Sequence, residues 1–102
     1  MIVHADLDAS TVTLVEPQGF FAFHVAVAGG DVDDERLPAL LAPHGRVDGD
    51  HAWITTESVV ALAGDAADDA WHAGFDGMLG YARSQGFLSE DGSAIRGHLE
   101  PA

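Results

Sequence analysis

Along the chain, short β-prone stretches alternate with runs whose apolar residues follow a helical period. Residues 2–5 and 11–15 are β-prone, and Asp6, Asp8 and Ser10 between them favour a turn, so the chain opens on a hairpin. After a second turn at Glu16-Pro17-Gln18-Gly19, residues 20–28 run apolar on both sides up to Gly29-Gly30 and predict the central strand. Its odd positions are bulky (Phe21, Phe23, Val25, Val27), and its even positions after Phe20 are Ala22, His24, Ala26 and Ala28. One face therefore packs large groups and the other lets something approach.

Asp33 or Asp34 is placed to cap a short helix over residues 34–43 that carries Leu37, Leu40 and Leu41, with Pro38 in its first turn and Gly45 ending it. Asp48-Gly49-Asp50, between β-prone residues 46–47 and 51–54, predicts a second hairpin. Thr55 or Thr56 then caps a helical run through Val59, Val60, Leu62 and Ala63, which Gly64 stops. The longest helix is expected over residues 66–85. There Trp71, Phe75, Met78, Leu79 and Ala82 form one stripe to bury, with Ala70, Gly74, Gly77 and Tyr81 beside it. A glycine inside a helix costs about 1 kcal/mol relative to alanine. Gly74, Gly77 and Gly80 therefore point to close approach by another backbone, within the chain or across a dimer. Residues 94–100 alternate as a last strand.

The order β-β-β-α-β-β-α-α-β implies a single α+β domain with an antiparallel or mixed sheet and helices on one face. From Phe20 onward it matches the βαββαβ order of ferredoxin-like domains, preceded by an N-terminal hairpin.

Composition narrows the chemistry by what is missing. The 102 residues include 17 acidic side chains against 4 arginines, a formal net charge of -13, with no Lys, Asn or Cys. Without Lys there is no phosphate-loop lysine or Schiff base, and without Cys no thiol nucleophile, iron–sulfur cluster or disulfide. Such a charge repels nucleic acid and anionic membranes, so neither is expected as a partner. The absence of a signal-like start and of disulfides points to the cytoplasm. No acidic cluster fits a calcium loop: counted from Asp6, positions 6 and 12 are Thr11 and Pro17. The six histidines show neither His-Glu-x-x-His nor His-x-His spacing, so no metal and no cofactor are expected.

The last strand is the most informative polar feature, because alternation places Arg96, His98 and Glu100 on one face and Ile95 and Leu99 on the other. That face is either the charged solvent side of an edge strand or a place where an Arg and a His receive an anion. His24, between Ala22 and Ala26, is either a core histidine bonded to backbone or a polar group in a cavity. The candidate ligand-binding residues are thus His24, Trp53, Arg96 and His98. The expected function is a non-enzymatic homodimeric module that binds a protein partner or a small ligand. The alternative is a small cofactor-independent enzyme of dimeric α+β type, with His24 or His98 as acid or base and Arg96 holding an anionic oxygen in a cavity between sheet and helices.

Overall fold

A computed structural model describes all residues, Met1–Ala102. The opening hairpin forms as its turn chemistry predicts: β1 (Ile2–Asp6) pairs antiparallel with β2 (Thr11–Val15). The Asp6 carboxylate accepts from the amides of Asp8 and Ala9 and fixes the bend. The second hairpin, β4 (Gly45–Asp48) and β5 (His51–Thr55), turns at Asp48-Gly49-Asp50, with Gly49 at a φ of 61°.

The central strand β3 (His24–Ala28) is shorter than the apolar run that announces it. Its neighbour β1 begins at Ile2, which pairs with His24, so residues 20–23 have no strand on the β1 side, and they do not pair with the first half of β6 on the other. Their rings pack elsewhere: Phe20 meets Trp71 edge-on, and Phe23 lies against Gly97. The Met1 amino group donates to the carbonyls of Gly19 (2.8 Å) and Ala22 (2.9 Å), and ties this segment to the start of β1.

Helix α1 (Leu37–Leu41) starts later than its acidic residues suggest. Asp34 does not cap it; its carboxylate accepts from the Arg36 amide and guanidinium instead. In α2 (Thr56–Ala63) the Thr55 side chain accepts from the Ser58 amide, and Gly64 ends the helix as expected. A single 3-10 turn at Gly64–Ala66 follows, so α3 (Asp69–Gln85) begins after Asp68, whose carboxylate caps the Trp71 amide at 2.8 Å. Gly86 closes α3 in the left-handed conformation.

The final strand β6 (Ala94–Pro101) completes a six-stranded sheet in the order β2-β1-β3-β6-β5-β4. β6 runs parallel to β3, and β3 parallel to β1. The ferredoxin-like order is not confirmed, because β6 enters between β3 and β5. For the same reason β6 is an interior strand and not an edge.

One face of this mixed sheet contributes Val3, Ala5, Val25, Val27, Ala52, Ile54, Ile95 and Leu99 to a single core that also takes in Leu37 and Leu41 of α1, Val59 of α2 and Trp71, Phe75, Met78 and Ala82 of α3. The domain is thus α+β with its helices on one side, and the apolar stripe of α3 is buried as its spacing predicts, apart from a half-exposed Leu79. Among the α3 glycines only Gly74 is closely approached, by the Phe20 ring; nothing lies within 4 Å of where a Cβ would stand at Gly77 or Gly80.

Candidate functional site

The opposite face of the sheet carries no helix, and strand alternation decides what it shows. Val3, Ala5, Val25, Val27, Ile95 and Leu99 point to the core, so Ile2, His4, Asp6, His24, Ala26, Ala28, Arg96, His98 and Glu100 point away from it. Across the strands the register sets His24 beside His98 and His98 beside His51. The His51 and His98 rings meet edge to face with centroids 5.1 Å apart. Carboxylates flank the row: His24 Nδ1 lies 3.3 Å from Glu100 Oε2, and His51 Nδ1 lies 2.7 Å from Asp50 Oδ1. The second Asp50 oxygen is 3.8 Å from His98 Nε2. No group of three or more His, Asp or Glu side chains is placed to hold a metal ion.

His24 is therefore neither a sealed core histidine nor a cavity group; it stands half-exposed on the bare face, opposite Glu100. Trp53 shares this face, with its indole nitrogen donating to Asp48 at 3.1 Å and the Arg46 guanidinium 5.6 Å above its ring. Arg96 sits between two rings, its guanidinium carbon 6.0 Å from the Trp53 centroid and 5.3 Å from that of Phe87.

The four residues singled out by sequence thus share a sheet face but do not converge on a cavity between sheet and helices. Trp53 lines one hollow with Arg46 and the turn before β6, and the more apolar hollows lie elsewhere. Because His24 pairs with His98, the first half of β6 runs past the start of β3, and beside it the chain opens into a groove of about 320 Å³. Residues 20–23 form one wall, Met78 and Tyr81 of α3 another, and Phe87, Ile95 and Arg96 the floor. A neighbouring hollow of about 580 Å³ shares Phe20, Phe21, Met78 and Tyr81 with it and extends along Gly74 and Gly77. Of the candidate residues only Arg96 reaches the groove.

Phe21 is fully solvent-exposed at the groove's lip, with Tyr81 64% and Phe87 39% exposed. Three rings in four positions before His24, and a tyrosine on the glycine side of a helix, were the sequence signals for this patch. They read as strand and packing because the place where β3 begins is set by β1, not by the phenylalanines.

The Ser89–Asp91 turn leading into β6 is held by the Asp91 carboxylate, which accepts from the Ser93 hydroxyl (2.7 Å), the Ser93 amide (3.0 Å) and the Ser89 hydroxyl (2.8 Å). These donors, the Ser93 hydroxyl first, hold its pKa down at about 2, and the Arg36 guanidinium and amide do the same for Asp34. A carboxyl depressed in the folded state stabilises the fold above its unfolded value near 4, and that contribution is lost as pH falls towards about 2. Urea unfolding midpoints should therefore decline between about pH 4 and pH 2, and Asp91→Ala should flatten the decline. A variant with an unchanged acid slope would remove Asp91 as a cause.

No helix is long and apolar enough to cross a membrane. Compared with protein-family models, with curated proteins and with solved structures, the chain matches none, so its functional reading rests on the geometry of these two surfaces.

Proposed function

We propose that the chain is a non-enzymatic homodimeric module, two copies packing through their bare sheet faces, that binds a partner or a small ligand. The observation that carries this is the exposed side of the parallel trio β1, β3 and β6. All-parallel sheets are almost always covered on both faces, and the parallel trio of this mixed sheet has no helix over one of them. Its centre is small and apolar: Ala26, only 6% exposed, stands in register between His4 and Glu100, with Ile2 and Ala28 close by.

Charge favours the same surface. It carries two of the four arginines (Arg46, Arg96) and four of the six histidines (His4, His24, His51, His98), but among the 17 carboxylates only Asp6, Asp48, Asp50 and Glu100. Elsewhere a second copy would meet a far more acidic surface and be repelled. The enzyme reading has less support, because His24 and His98 stand outside the groove and only Arg96 reaches it.

Sedimentation equilibrium over a wide concentration range tests the module reading, with a dimer expected for the native chain and a monomer for Ala26→Glu. Near-UV circular dichroism of the variant checks that its fold survives. A native chain that stays monomeric throughout, or an Ala26→Glu variant that stays dimeric, sinks the sheet-face dimer.

A further inference from the structure

We propose that the groove between residues 20–23 and α3 binds an amphipathic organic monoanion, an aryl or acyl carboxylate, its apolar body against the aromatic rings and its carboxylate on Arg96. This rests on the reading of the chain as a binding module and gives that module a ligand class.

Arg96 is the anomaly from which the inference starts. The chain has 17 carboxylates for 4 arginines, yet two of the arginines, Arg83 and Arg96, have no acid beside them. Arg36 chelates Asp34 and also donates to the Gly29 carbonyl, and Arg46 leans to within 3.9 Å of Asp48. Of the two arginines without an acid only Arg96 lines the groove, and its Nε is sealed from solvent with no hydrogen-bond acceptor. A buried N–H left unpaired is costly, and native folds pair nearly all of them. The Trp53 and Phe87 rings hold the guanidinium in place, so its position does not depend on an anion of the protein's own.

The groove supplies the rest of a ligand site. Its volume of about 320 Å³ suits a small organic molecule, and nine of its ten lining residues are hydrophobic. Arg96 is the one charged residue among them. A guanidinium matches a carboxylate fork, and a single cation without a lysine beside it suits one negative charge. The net charge of -13 also disfavours a phosphate ester or any polyanion. Phe21, fully exposed at the lip, is placed to cover an apolar body once one is seated.

The test is isothermal titration of the untagged full chain with 3-phenylpropionate and with its neutral amide, followed in parallel by tryptophan emission, since Trp53 lies against Arg96. The acid should bind and the amide should bind about tenfold more weakly or worse, a comparison that needs no variant. Arg96→Gln should bring the acid down to the level of the amide, whereas Phe21→Ala, at a fully exposed position, should weaken both alike. Equal binding of acid and amide, no heat from the acid at millimolar concentration, or native-like binding by Arg96→Gln would each overturn the proposal. The two readings fail separately: a monomer that binds the acid removes only the sheet-face dimer, and a dimer that ignores it removes only this ligand class.

Discussion

Replacing Trp71 by alanine should cost about 3–5 kcal/mol of unfolding free energy, a large part of the roughly 5–15 kcal/mol that holds a domain of this size. Trp71 is 2% exposed, stacks on Phe75 with centroids 4.8 Å apart, and takes the Phe20 ring edge-on. Its indole nitrogen donates to the Pro17 carbonyl at 2.7 Å, a bond between residues 54 positions apart that fastens the turn before β3 to α3. The alanine variant leaves a cavity in the single core and an unpaired carbonyl together. Trp71→Phe separates the two terms: it keeps most of the ring and loses the hydrogen bond, for an expected loss of about 1–2 kcal/mol. Urea unfolding of both variants measures the difference. Equal losses would show that the hydrogen bond, and not the buried ring, is what Trp71 contributes.

The second large effect is expected at Gly45, where β4 begins. A Cβ there would stand on the carbonyl oxygen of Trp53 and within 2.8 Å of its carbonyl carbon, and Ile54 Cα lies 3.0 Å away. These are backbone atoms of the paired strand, which no rotamer change can move, so Gly45→Ala has to push β4 off β5. The expected loss is about 3 kcal/mol, with hydrogen-exchange protection lost first in β4 and β5 and retained in β1 and β3. Gly77→Ala is the control, because nothing lies within 4 Å of its Cβ position and the helix gains about 1 kcal/mol from the substitution. Should Gly45→Ala prove as stable as the native chain, the tight approach of β4 to β5 would be disproved.

Much of the local structure was legible because its causes lie within a few residues. Both hairpins were marked by turn residues, α2 by the Thr55 cap and the Gly64 stop, and the core face of α3 by the spacing of Trp71, Phe75, Met78 and Ala82. Boundaries failed where a distant partner set them. Asp34 resembled a helix cap but accepts from Arg36 two residues on, so α1 begins at Leu37. Residues 20–23 have strand propensity but no strand of β1 beside them.

The candidate site was legible residue by residue but not as an arrangement. Alternation correctly put Arg96, His98 and Glu100 on one face, and the small side of β3 did prove to be the side without helices. His51 was missed because only strand pairing brings it beside His98, and Phe87 because it joins Arg96 through the loop that precedes β6.

By itself, then, the sequence determined the helices and hairpins, the apolar stripes and the strong negative charge, since turn chemistry, capping and amphipathic periodicity act over one to four residues. The tertiary structure alone decided that β6 enters between β3 and β5, and with it the row of His24, His98 and His51, the interior place of Arg96 and the groove where β6 outruns β3. Strand order follows from the relative free energies of pairings between residues tens of positions apart, and no short window of sequence encodes that comparison.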